Sequence, residues 1–210
     1  MNSKKDDALH LLFPIPVGLY DFPYQYNEVE LNYLKNTEKH VKENTGNIIS
    51  QNSYVLDNQA MSKLKQYIQK MVNHHFKKTV TTDPSCSLYV TQSWVNYTDN
   101  KQYHHLHRHY NSYFSGVLYL NTNEDDYIRF YSPTSGTLDP VLIEPAEVNN
   151  INGKIFNLPV KSNTMVLFPS YLPHSVEPVT GSSTRCSLAF NTFVRGVIGE
   201  KVGLYELILK

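Results

Sequence analysis

The sequence predicts a mainly β protein, in which about eight strands build a sandwich, jelly roll or barrel and two helices pack outside it. Three observations carry this reading. After Asp83-Pro84 the chain breaks into short segments rich in Val, Ile, Tyr, Phe and Thr, at 87–98, 103–109, 114–121, 127–132, 141–145, 154–160, 164–168, 174–180 and 185–194. Turn residues separate them, as at Asn121-Thr122-Asn123, Pro133-Thr134-Ser135-Gly136 and Gly181-Ser182-Ser183. Ahead of them lie two stretches with helical rather than alternating spacing.

Taken in order, residues 1–12 read as a loose charged terminus. Leu12-Phe13-Pro14-Ile15-Pro16-Val17 reads as an edge strand, because two prolines cannot serve a central ladder. Leu31, Leu34 and Val41 follow helical spacing between Asn27 and Asn44, with Asn44-Thr45-Gly46 as the stop. A second helix is capped by Asp57 or Asn58 and presents Met61, Leu64, Ile68, Met71, Val72 and His75 on one face. His74 and His75 are expected at its surface or boundary. At 210 residues the chain suits one domain over 1–210, with an N-terminal helical part (1–83), a β core (84–195) and a tail (196–210).

Composition narrows the function classes. A hydrophobic content of 40% with 18% charged residues excludes a disordered chain or a coiled coil. The 19 basic and 19 acidic side chains cancel, so the electrostatic footprint of a nucleic-acid binder is missing. No run approaches the ~20 apolar residues of a membrane span, and no signal-peptide core follows the first charges. A cytoplasmic location and a small-molecule, peptide or protein substrate are therefore expected. Two cysteines, Cys86 and Cys186, are too few for a disulfide scaffold or a cysteine metal site.

Histidine is where the sequence becomes chemical. Of nine histidines, His104, His105, His107 and His109 fall within six residues, where random placement would put about a quarter of one. On a regular strand His105, His107 and His109 share a face and His104 takes the other. Three such positions span roughly 13 Å, whereas metal–nitrogen bonds measure about 2 Å, so one ion can take two neighbours and needs a third ligand from elsewhere. His174 is the other histidine in β-rich sequence. The segment after it, to Ser187, reads as strand, turn and strand. A turn at Thr180–Ser183 sets Arg185 opposite Pro178, on the face of His174 and roughly 13 Å along the backbone. That leaves room for a short dicarboxylate between a metal and the guanidinium, whose planar fork binds carboxylate bidentately. Ser187 faces the same way and can add a hydrogen bond.

The residues Ser93-Trp94-Val95-Asn96, His107-Arg108-His109-Tyr110, Ser115-Gly116-Val117-Leu118-Tyr119-Leu120, Leu167-Phe168-Pro169 through His174, and Arg185-Cys186-Ser187 to Asn191 resemble the iron(II)- and 2-oxoglutarate-dependent dioxygenase superfamily. Within it the chain is most similar to a small oxygenase family of marine bacteria and tailed phages, with a prolyl-hydroxylase-like character. The resemblance implies a double-stranded β-helix (jelly-roll) core with Fe(II) at one end, 2-oxoglutarate and O2 as cosubstrates, ascorbate as a supporting reductant, and succinate and carbon dioxide as coproducts. It implies that His107 and His174 are iron ligands, that Arg185 holds the distal carboxylate of 2-oxoglutarate, and that Tyr119 and Tyr97 are further cosubstrate contacts. Where the superfamily has His-x-Asp/Glu, this chain has His107-Arg108-His109. His109 is the favoured third ligand; a vacant position filled by water or an anion, Asp125 or Asp126 from a loop, or His105 after a shift of register are the alternatives. The implied reaction is hydroxylation, first of a peptidyl proline or other amino acid. A cupin-like metal isomerase or sugar-modifying protein, which has no need of Arg185 as a dicarboxylate anchor, and a non-catalytic viral jelly roll, which would not load iron, are the competing readings.

Overall fold

Asn27 opens the first helix because its side chain accepts from the Glu30 amide (3.0 Å) while Glu30 accepts from the Asn27 amide (2.9 Å). In the computed structural model, which describes residues 12–80, 85–133, 141, 143–149 and 151–210, this helix, α1, spans Glu28–Thr37. It stops well before Asn44. Val41–Glu43 instead forms strand β2, and Asn44-Thr45-Gly46 turns the chain into Ile48–Ser50 (β3), with Gly46 at φ 91°. A β-branched Val41 paired to Ser50 outweighs one more apolar residue at helical spacing.

The second helix, α2, spans Ser62–Val80 after short 3-10 turns at Val55–Asp57 and Gln59–Met61. Asn58 caps the latter turn by accepting from the Ala60 amide. The expected face is buried at Met61, Leu64, Ile68 and Val72. His75 is buried with them rather than at the boundary, its Nδ1 2.7 Å from the Tyr20 hydroxyl. Desolvation lowers its pKa to about 4, so it is a neutral core residue. His74 is exposed, as expected.

The strands form two antiparallel sheets. The eight-stranded sheet runs β1 (Gly18–Asp21), β9 (Thr164–Pro169), β6 (Phe114–Asn121), β11 (Arg185–Ile198), β4 (Cys86–Thr98), β3 and β2, with β12 (Leu207–Leu209) on the far end of β11. The four-stranded sheet runs β5 (His104–His107), β10 (His174–Val176), β7 (Tyr127–Tyr131) and β8 (Ile155–Pro159). This is a jelly roll, as the sequence predicts.

Alternation along the large sheet serves two cores. Val95, Leu118, Leu188 and Phe190 join Leu64, Ile68 and Val72 of α2 in one buried cluster. Tyr119, Val166 and Phe168 join Ile128 and Phe130 of the small sheet in another. An extra residue in β4, between the pairs Phe190–Ser93 and Thr192–Val90, keeps both ends of that strand in phase with the α2 side.

Several expected elements differ. The edge strand lies at β1, after the prolines; Leu12 and Phe13 are exposed and Leu12–Val17 forms no strand. Val141, Ile143, Glu144 and Pro145, the described part of the expected strand 141–145, also lie outside any strand. Residues 1–11 of the terminus expected over 1–12, and the turn residues Thr134-Ser135-Gly136, fall outside the described residues. The tail contributes β12. No helix among the described residues is long and apolar enough to cross a membrane.

Gly116 shows how tightly the α2 side is packed. A Cβ there would stand 2.1 Å from the ring of Phe190, which is fully buried. Gly116→Ala is expected to lower unfolding free energy by about 1–3 kcal/mol, measured as a lower urea midpoint at unchanged slope.

Candidate metal centre

β10 is short, and each of its edges carries a consequence. His174 pairs with His107 on one side and with Phe130 on the other. The β10–β5 register steps from His174–His107 to Val176–His104, so β5 contains one extra residue. This bulge overturns strict alternation. His104, expected on the opposite face, stacks on His107 (centroids 4.5 Å apart, 15° between planes) and lines the same cavity.

After His107 the strand ends. The His109 amide donates to the Ser170 carbonyl (2.9 Å), and Asn111 adopts φ 52°, a left-handed turn that asparagine tolerates. The chain thus wraps His109 around His107 instead of carrying it two pleats along, and their ring centroids are 5.0 Å apart.

One ring nitrogen from each of His107, His109 and His174 lies within 4.8 Å of the others. The Nε2 atoms of His109 and His174 are 3.3 Å apart. Two nitrogens sharing an ion at about 2.1 Å in octahedral or tetrahedral geometry would be separated by roughly 3.0–3.4 Å, so the spacing fits a divalent metal. Tautomers agree. His107 Nδ1 lies 2.8 Å from the His105 carbonyl and His174 Nδ1 lies 3.0 Å from the Leu172 carbonyl. A carbonyl can only accept, so both Nδ1 atoms carry the proton and each Nε2 keeps its lone pair, that of His174 lying 3.3 Å from His109 Nε2. His109 is sandwiched between Trp94 and His174, and Phe168 packs edge-on against His174.

Burial holds these imidazoles neutral. Desolvation, then the neighbouring histidines, lowers His109 to about 4 and His104 to about 3; His107 is lowered, and His174 lies well below 6.5. A neutral imidazole is the ligating form. His105 is partly buried, like His107, with its Nδ1 3.4 Å from the Thr45 carbonyl; it stands outside the His107–His109–His174 group but forms with His104 and His107 a second group whose ring nitrogens lie within 4.8 Å of one another. The two loop acids do not complete that group either. Asp126 accepts from the Asn123 amide, and Asp125 lies on the exposed turn beside Gly181.

Arg185 opens β11 and is buried at 3% exposure. It does not reach the site through a hairpin with β10: its partner is Thr98 on β4, and it faces His174 from the opposite sheet of the sandwich. Nη1 donates to the Tyr127 carbonyl (3.1 Å), and the guanidinium lies 5.2 Å from the centroid of Tyr119. Among the described residues no carboxylate pairs with it. Tyr119 is fully buried with an unpartnered hydroxyl; burial raises its pKa and the guanidinium opposes that shift. Ser187 lines the cavity two residues from Arg185.

Tyr97 is not part of this site. It is odd-numbered where Trp94, Asn96 and Thr98 face the cavity, so it turns to the α1 and α2 side and bonds the Thr37 hydroxyl (2.7 Å). Sequence reasoning missed Trp94 and His104 as cavity walls; the bulge that turns His104 inward has no sequence signature here.

Comparison with known proteins agrees with the geometry. Residues 92–191 match the model of the family described as "Putative 2OG-Fe(II) oxygenase", where 2OG is 2-oxoglutarate. No curated protein matches. Among solved structures, a Pseudomonas putida prolyl-4-hydroxylase is similar at TM-score 0.56 and 12% identity, covering 84% of this chain and 92% of its own. HygX from Streptomyces hygroscopicus, solved with nickel, 2-oxoglutarate and hygromycin B, is similar at TM-score 0.58 and 11% identity, covering 85% and 83%. The non-heme alpha-ketoglutarate-dependent epimerase SnoN from nogalamycin biosynthesis reaches TM-score 0.58 at 11% identity, covering 87% and 81%. At these identities the likeness is one of fold.

The neutral histidines make the metal-free protein acid-sensitive. An imidazole that titrates near 6.5 unfolded but near 4 folded binds fewer protons in the folded state. Its contribution is complete above pH 6.5 and is lost as pH falls toward 4, by up to about 1.4 kcal/mol per pH unit for each such group. The urea midpoint of metal-free protein is expected to drop across that window, and His75→Leu, remote from the cavity, to flatten the drop.

Proposed function

We propose that this chain, a 2OG-Fe(II) oxygenase through residues 92–191, hydroxylates its substrate with iron(II) held by His107, His109 and His174 and with 2-oxoglutarate anchored on Arg185. The observation that carries the reading is Arg185, a buried guanidinium that opens onto the same cavity as three convergent neutral imidazoles and lacks an acidic partner among the described residues. A buried charge is costly unless paired, and a dicarboxylate is the partner that this geometry suits.

Bound iron would supply the oxidation, using O2 as 2-oxoglutarate is converted to succinate and carbon dioxide while one oxygen atom enters the substrate. The chain supplies placement. Arg185 binds the distal carboxylate through its planar fork, and the Tyr119 hydroxyl and Ser187 stand beside it as hydrogen-bond donors. The His105 and Leu172 carbonyls hold two imidazoles in the ligating tautomer. Trp94 and Phe168 fix ring orientation and exclude water from the far side.

The substrate we favour is a prolyl or other amino-acid side chain carried by a peptide. Tyr103, Tyr110 and Tyr113 are exposed along the chain that delivers His107 and His109, and such aromatics suit an extended peptide. The similarity in fold to a prolyl-4-hydroxylase supports the same class.

Purified protein given iron(II), ascorbate and 2-oxoglutarate is expected to release succinate. Arg185→Ala should raise the 2-oxoglutarate KM on the order of 100-fold, the equivalent of about 3 kcal/mol of charge-assisted bonding. His174→Ala should abolish turnover. Undiminished succinate release by both variants refutes the assignment, and a one-oxygen mass gain in peptides from a lysate would identify the substrate.

A further inference from the structure

We propose that His109 makes tight metal binding in this chain conditional on a bound dianion: the ion is held firmly only together with a ligand that also neutralises Arg185. The inference rests on the 2-oxoglutarate reading above and goes beyond it, to the order and coupling of binding.

The argument is a count of charge. The cavity is walled by His104, His107, His109, His174 and Arg185, by neutral polar groups such as Asn96, Ser115 and Ser187, and by apolar side chains; none of its described lining residues is acidic. The acids on adjoining segments lie outside that lining, although buried Asp126 is near enough to Tyr119 to act on its hydroxyl. Asp126 accepts from the Asn123 amide at 2.9 Å, and Glu177 pairs with Arg129 at 2.9 Å. A divalent ion on three neutral imidazoles therefore brings two positive charges into a buried space that already holds a guanidinium. With no protein carboxylate at the ion, like charge opposes its entry. A dianion bridging ion and guanidinium lowers the sum from three to one. An aspartate at position 109 would provide one negative charge beforehand and weaken that dependence. Because coupling between two ligands is reciprocal, the factor by which the dianion tightens the metal equals the factor by which the metal tightens the dianion.

Manganese(II), a divalent ion visible by electron paramagnetic resonance, allows the test without turnover. In the wild-type protein, saturating 2-oxoglutarate should raise Mn(II) affinity at least about tenfold, within the usual range of coupling between sites. H109D should bind Mn(II) more tightly than wild type when no 2-oxoglutarate is present, and its coupling factor should fall several-fold. H109N, which keeps the position neutral, should weaken the metal yet retain most of the coupling. In wild type, 2-oxopentanoate, which lacks the distal carboxylate, should give a smaller factor than 2-oxoglutarate; this arm stands even if a variant fails to fold. Equal Mn(II) affinity with and without 2-oxoglutarate, or a coupling factor in H109D as large as in wild type, overturns the inference. If the first is accompanied by a failure of 2-oxoglutarate to bind the Mn(II)-loaded protein at all, the proposed function falls with it. Normal 2-oxoglutarate binding with undiminished coupling in H109D sinks this inference alone.

Discussion

The pairing of β11 with β4 on one edge and β6 on the other is the constraint from which the site follows. A strand flanked on both edges cannot slip by one residue without exchanging its two faces. Here the faces are unlike. Cys186, Leu188 and Phe190 pack toward α2, while Arg185, Ser187 and Ala189 open onto the cavity. The apolar set is what fixes the register, since Leu188 and Phe190 are fully buried and turning them into the polar cavity would cost several kcal/mol. Arg185 is aimed inward as a consequence of where its neighbours pack.

The histidines are brought together by local exceptions to sheet geometry. Regular pleating would hold His104 away from His107 and leave His109 nearly 7 Å further along the strand. An extra residue in β5 reverses the first of these, and the exit of the chain after His107, pinned by the His109–Ser170 backbone bond and the Asn111 turn, reverses the second. β10 then adds His174 by pairing directly with His107. The rings do not depend on an ion for their orientation, because carbonyls bind two of them and Trp94 flanks the third. Such preorganisation lowers the entropic cost of ligation.

Much of this was legible in the sequence, for physical reasons. Alternation and turn chemistry are local, so six of the twelve strands among the described residues, β4 to β9, were located within a residue or two at each end, and the apolar face of α2 was read from its spacing. His107, His109, His174, Arg185, Ser187 and Tyr119 were singled out, and all line one cavity. What failed was non-local. Val41 fits a helix by spacing but is claimed by Ser50, seven residues on from the end of β2. The hairpin drawn from His174 to Arg185 put them on paired strands, whereas each pairs with other strands and they meet across the sandwich. Tyr97 was read through family likeness without regard to the pleat, which turns it to the other face, and His75 looked like a boundary residue because its Tyr20 partner is 55 positions away.

The division of labour between the two faces also explains how the fold tolerates its site. A buried guanidinium with no carboxylate partner among the described residues, a tyrosine hydroxyl without a partner and a cluster of desolvated imidazoles each oppose folding. All lie on the cavity side of the large sheet. The opposite side carries the larger buried cluster, from Phe22 through Leu64 and Ile68 to Leu188 and Phe190, with His75 and Tyr97 buried among it. Stability is generated on the α2 face and spent across the sheet, through strands whose alternate residues belong to both. A chain that replaced Arg185 and the imidazoles with apolar residues would gain stability and lose the cavity's chemistry, the usual exchange at a functional site. That these groups persist in the interior, each turned toward the same space, is the strongest physical reason to read that space as a binding site for a metal and an anion.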